Sequence, residues 1–179
     1  MPKFISLLLL LFISALQAQE LPPYIELEPF GTVEVYGDLY EGYPLDHLSW
    51  AWNSSVACFT QLQESQFSGS HVTYYTDIPA YSQLEIKVIP DSADANFSLY
   101  AYQVGRVDAS NMVPNLKRCI RCEADYKRSA PVRGRVEDHT RTVRDLLAVN
   151  RPYQCVIVVV GAEGLMEGGF TLLVSHSPY

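Results

Sequence analysis

The chain has 179 residues, of which 48% are apolar, 12% aromatic and 18% charged, and its formal net charge is −7. That composition belongs to a folded domain with a sizeable core and excludes a disordered chain. The negative balance excludes non-specific nucleic-acid binding, which needs cations to neutralise phosphates.

Met1-Pro2-Lys3 is a short basic start, and Phe4 to Leu16 is an apolar run interrupted only by serines and an alanine. This reads as a secretory signal peptide over residues 1–18, too short for a good membrane span. Leu16 stands where a small residue is preferred near the cleavage point, and no cysteine immediately follows the run as a lipid anchor would need. No later stretch reaches the roughly 18 apolar residues of a membrane helix. The expected mature chain is secreted, periplasmic or at the cell surface, without a membrane span. Residues 19–48 form an acidic segment rich in Tyr and Pro with one or two strands, and residues 49–179 the sandwich domain.

In that segment, Pro22-Pro23 and Pro29 discourage a helix, and Thr32 to Tyr36 alternates like a strand closed by Gly37-Asp38. Trp50 and Trp52, the only tryptophans, sit two apart, so on a strand they share a face as a core anchor or an exposed platform. The core reading is preferred, because Trp is usually well buried. Val56 to Phe59 reads as a strand and Gln61 to Ser70 as a loop. His71 to Thr76, Leu84 to Val88 and Phe97 to Tyr102 read as strands, with the Pro90–Asn96 turn before the last. Gly105 to Asn115 is a loop, Cys119 to Tyr126 a strand, and Lys127 to Gly134 a basic stretch rich in breakers. Val136 to Asn150 carries competing helix and strand signals. The strand is preferred after Arg141, with Asp145 as a misfit on its face.

Val156 to Val160 is a continuous β-branched run, which fits a strand buried on both faces. Phe170, Leu172 and Val174 alternate with Thr171, Leu173 and Ser175 as a further strand. The two are expected to form a central β-hairpin over Tyr153–Ser175. Many short strands separated by turn signals point to an all-β, jelly-roll-like β-sandwich in one domain.

From about Phe67 to His176, the segments HVTYYTDIPAYSQLEIKV, NFSLYAY, YQCVIVVVG and GGFTLLVS resemble the bacterial pre-peptidase C-terminal domain family. The resemblance implies a jelly-roll-like sandwich acting as an accessory module of secreted enzymes, in substrate binding, secretion or solubility. An attached catalytic domain, usual for the family, is not expected here, and the four cysteines depart from the family's usual pattern.

Those cysteines are Cys58, Cys119, Cys122 and Cys155. In an exported chain an even count favours two disulfides, with three connectivities open. Cys119-Ile120-Arg121-Cys122 is also a C-x-x-C, which could be a redox pair flanked by Arg118 and Arg121, or half a zinc site. Cys155, within the apolar run, suits the core. None of His47, His71, His139 and His176 falls in a metal or nucleophile motif, and His71 reads as an edge or surface residue. Asp91, Asp94 and Asn96 are close enough for calcium but are also ordinary turn residues. Asn53-Ser54-Ser55 and Asn96-Phe97-Ser98 fit the N-glycosylation pattern, which matters only in a eukaryotic host.

Charge is unevenly placed. No Lys or Arg lies between Gln19 and Ile86, whereas eleven lie from Arg106 to Arg151. The plain expectation is that the two halves face each other and pair. The sharper one is a bipolar surface suited to an acidic partner or to head-to-tail self-association. The resulting functional expectation is a non-catalytic module, without cofactor, metal or nucleic acid, that binds a protein or a glycan. Trp50, Trp52, Arg118 and Arg121 are the candidate binding residues. The alternatives are a thiol or metal protein built on Cys119 and Cys122, or a small secreted hydrolase.

Overall fold

The computed structural model describes residues 21–128, 133–134 and 137–179. The signal-peptide expectation falls on residues 1–18 and lies outside the described residues. Nine strands form two antiparallel sheets: β1 (Thr32–Asp38), β2 (Tyr43–Pro44), β3 (Ser70–Ile78), β4 (Ser82–Pro90), β5 (Phe97–Val104), β6 (Arg121–Asp125), β7 (Arg141–Ala148), β8 (Tyr153–Gly161) and β9 (Gly169–Pro178). One sheet has the order β1-β9-β4-β7 and the other β2-β3-β8-β5-β6. Setting aside the two-residue β2 and the neighbouring pair β5–β6, consecutive strands alternate between the sheets, as in a jelly roll. The acidic segment thus contributes one edge strand to each sheet.

The sheets pack face to face around Leu84, Ile86 and Val88 of β4, Phe170, Leu172 and Val174 of β9, and Leu99, Ile157 and Val159 from the other sheet. A second apolar layer lies on the far side of the five-stranded sheet. There Tyr100 and Tyr102 of β5 and Val156, Val158 and Val160 of β8 are covered by Trp50, Phe59, Phe67, Val107, Met112 and Leu116. Those covering residues come from 3₁₀ turns at Ser49–Trp52 and Gln61–Phe67 and from the loop between β5 and β6. This explains the unbroken apolar run in β8: its odd residues face one core and its even residues the other, so neither parity meets water.

Several expectations are corrected. The Tyr153–Ser175 hairpin is not formed, because β8 and β9 lie in opposite sheets. A strand buried on both faces belongs at the centre of the covered sheet, while the alternating β9 suits the sheet whose outer face meets solvent. The link between them turns sharply at Gly161. A Cβ there would stand 2.0 Å from the Leu165 carbonyl oxygen, and one at Gly69 2.2 Å from the same atom. These two glycines let β3 enter beside the crossover, with Gly69 N–H donating to Gly161 O and Ser70 N–H to Leu165 O.

Trp50 and Trp52 lie on a 3₁₀ turn and not on a strand, and Val56 to Phe59 is irregular. After Arg141 the chain is a strand, and its misfit is a β-bulge. Leu84 faces Leu146 and Ile86 faces Val143, so Arg144 and Asp145 together oppose Glu85. Asp145 has φ 66°, a left-handed conformation that Asp tolerates better than most residues.

Candidate functional site

The loop from Gly105 to Ile120 is built as a platform. Val107, Met112, Val113 and Leu116 are buried in the outer core. Asp108 caps the turn Ala109–Asn111 reciprocally with Asn111, the Tyr102 hydroxyl donates to Asn111 O at 3.1 Å, and Val107 N–H donates to the Gln154 side chain. Hydrogen bonds from the Ser110 hydroxyl and backbone N–H hold the Asp108 carboxyl below its ordinary value. What the anchored loop leaves exposed is cationic. Arg106, Lys117 and Arg118 line a pocket of about 950 Å³ together with Asp108, Ser110, Asn111 and Asn115. Among the described residues, none of the three cations has a carboxylate within salt-bridge distance.

Of the expected binding residues, Arg118 lies in this pocket. Arg121 is on β6 and is held by Glu123 at 2.7 Å. Trp50 is 6% exposed and packs on Phe59 and Tyr100, so it is a core anchor. Trp52 is half-buried and lines a separate cleft of about 480 Å³ with Phe59, Gln61, Gln63 and Tyr126. Arg106 and Lys117 were absent from the expected set. The signal that could have singled them out is a breaker-rich loop carrying three cations against one acid.

The cysteines form one disulfide, Cys58–Cys122, and not two; Cys119 and Cys155 are free. Cys122 pairs with Tyr102 across β5 and β6 and shares its outward face, beneath the loop that carries Cys58. Cys155 is on the opposite face, inside the inter-sheet core, and cannot reach it. With Cys122 already bonded, the C-x-x-C is not a dithiol. Burial pushes the Cys119 thiol up to about 11, the wrong direction for a reactive thiolate. Among the described residues, no three His, Cys, Asp or Glu side chains stand close enough to hold a metal ion. No helix of the described residues is long and apolar enough to cross a membrane.

For the hydrolase alternative, Ser49 Oγ and His47 Nδ1 are 3.1 Å apart on an exposed turn. No Asp or Glu side chain bonds His47 among the described residues. His71 is not at the surface. It is 3% exposed, because its side of β3 faces the outer core and the covering loop closes over it. Burial pushes its pKa down to about 4, against the opposing hydrogen bond to Gly69 O. The unfolded chain takes up this proton near pH 6.5 and the folded chain only near 4, so the contribution is complete above pH 6.5 and lost as pH falls through that window. The difference corresponds to about 3 kcal/mol. His139, held low by partial burial and by Arg141, acts in the same sense. Urea unfolding from pH 7 to pH 4 should therefore show a steep loss of stability that is shallower by about this amount in His71→Phe. An unchanged slope in the variant would assign the loss to other groups.

Among the described residues the acids of the first half and the cations of the second pair only once. Glu26, Glu28, Glu34, Asp38, Glu41 and Asp46 lie on the segment that forms the β1 and β2 edges, where Tyr74 of β3 closes on Gly37 of β1. None of the six is in a salt bridge among the described residues. Cations concentrate on and beside β6 and β7, the far edges, which meet where Thr142 N–H donates to Asp125. Glu85–Arg144 is the one described salt bridge joining the two regions of sequence. The pairing expectation is thus corrected to a bipolar surface. The sheet orders put β1 and β2 at one edge and β7 and β6 at the other, which separates most of the acids from most of the cations.

No protein-family model and no curated protein sequence matches the chain. The solved structures similar to the chain include two of low sequence identity. One is PliG from Aeromonas hydrophila, a periplasmic lysozyme inhibitor of g-type lysozyme, with TM-score 0.45 at 10% identity over 87% of this chain and 96% of that one. The other is the pre-peptidase C-terminal domain of collagenase from Bacillus anthracis, with TM-score 0.39 at 12% identity over 88% and 96%.

Proposed function

We propose that this chain is an exported, non-catalytic binding module that engages an anionic partner, a protein or glycan bearing carboxylate or sulfate groups, through the Arg106–Lys117–Arg118 pocket. The observation that carries the reading is three exposed cations, none in a salt bridge among the described residues, held around one large pocket by a buried and capped loop. Pre-positioned charge lowers the ordering cost of binding. The fixed donors of two arginines suit planar or tetrahedral oxyanions. The disulfide supports an oxidising compartment.

The test is binding of the chain to polyglutamate and to heparin, the first a carboxylate peptide and the second a sulfated glycan. Exposed ion pairs contribute up to about 1 kcal/mol each, so Arg106→Ala/Lys117→Ala/Arg118→Ala should weaken the preferred probe by up to about 100-fold. It should also flatten the salt dependence. All three side chains are exposed, so the fold is expected to persist, checked by circular dichroism. Equal binding by the triple variant would reject this pocket as the site.

A further inference from the structure

The outer edge of β3 is covered by two short pieces of chain. β2 pairs with it at Ser70 and His71, and Tyr24 bridges to Tyr75. At Tyr75 both peptide groups are used, its N–H donating to Pro23 O and its C=O accepting from Ile25 N–H. Alternation along a strand puts the N–H and C=O of Thr73 on this same edge. No described residue pairs with Thr73 there. The gap is a cavity of about 350 Å³ whose walls include Pro23, Glu41, Tyr43, His71, Thr73 and Tyr74.

The acceptors in the walls of this gap suit a cation. Glu41 is its only charged wall. No Lys or Arg occurs from Gln19 to Ile86, and nine acids besides Glu41 lie on the same stretch. His71 donates from Nδ1 to the Gly69 carbonyl at 2.9 Å, which leaves Nε2 as a lone-pair acceptor, buried and without a partner. Its low pKa keeps the ring neutral, so the acceptor is retained at neutral pH. Burial, with Glu41 nearby, pushes Tyr74 up to about 12, so that phenol stays protonated. Tyr43 is 60% exposed at the mouth, with Tyr24 and Tyr40 exposed nearby on the same segment.

We propose that this gap in the β3 edge receives a Lys or Arg side chain presented by a basic protein, a partner distinct from the anionic one. Glu41 and the open peptide edge of Thr73 meet the charged head, and Tyr43 offers an aromatic face to it. The exposed tyrosines around the opening supply the rim that such anchors have in protein interfaces.

The probe is N-acetyl-arginine amide, titrated at neutral pH into the isotopically labelled chain and followed by NMR. The His71 and Tyr43 ring signals should shift along one saturating curve. N-acetyl-glutamine amide should move neither. Loss of the ion pair in Glu41→Gln should weaken the arginine probe by up to about fivefold. Glu41 is exposed, so this variant folds. Shifts that do not saturate, or that persist unchanged in Glu41→Gln, would overturn the proposal. Sedimentation supplies the other arm. If the chain forms salt-sensitive oligomers that Glu41→Gln abolishes, the occupant is a second copy of this chain, and the separate basic partner is rejected.

Discussion

Replacing Cys58 and Cys122 by serine lowers the stability of the fold by roughly 4 kcal/mol, because their sequence separation of 64 makes the closed loop long. Cross-linking removes unfolded conformations in proportion to the logarithm of loop length, and few single features of this chain act on so much of the unfolded ensemble. In a domain of this size the loss corresponds to a fall in Tm of about 10 °C by calorimetry. The bond has a local role as well. It fastens the irregular Val56–Phe59 segment, which has no sheet partner, to β6 at the sheet edge, and so holds Phe59 over the outer core. Cys119→Ser breaks no covalent link and should leave Tm nearly unchanged. A wild-type Tm that is indifferent to reductant would mean that the two sulfurs are not joined.

Phe67→Ala should cost about 4 kcal/mol, near the middle of the range for buried aromatic truncations. The ring is fully buried, stacked on Phe59 with centroids 3.8 Å apart, and edge-on to Tyr100 at 5.9 Å and Tyr126 at 5.6 Å. The cavity left behind is floored by β5 and β8 at the centre of the sheet, so collapse around it is limited and the void term remains. Leu62 lies on the same 3₁₀ turn but is 91% exposed. Leu62→Ala should therefore stay within a few tenths of a kcal/mol of wild type. The comparison, read from urea midpoints, separates loss of packing from any general weakness of the turn. Equal midpoints for the two variants would contradict the two-core architecture, since the outer layer would then contribute little.

The two variants probe the same structural fact: one sheet is covered twice. The covering layer also builds the functional surface. Val107, Met112, Val113 and Leu116 bury the loop that displays Arg106, Lys117 and Arg118. The part of the loop that is legible as packing and the part offered for binding are alternate stretches of the same chain.

Strand identity was written in the local pattern. Leu84-Glu85-Ile86-Lys87-Val88 alternates with period two, and β4 buries Leu84, Ile86 and Val88 while Glu85 and Lys87 face outward. Val156 to Val160 lacks any polar parity, and its strand is accordingly buried on both faces. The segregation of charge was also visible as a bare list of residues. These features are local because a strand's side chains alternate by backbone geometry alone. Sheet order is not local. That β8 and β9 part into different sheets, that Cys58 selects Cys122 while Cys155 faces the other core, and that early acids and late cations end on opposite edges all depend on which strands become neighbours. The same holds for His71, Trp50 and Phe67. Their burial comes from irregular segments laid over a sheet, where no period marks the apolar residues, and the open peptide edge at Thr73 exists only because β2 stops after two residues. Pairing over long sequence separations decides such matters through the total burial of two cores, and tertiary structure alone settles them.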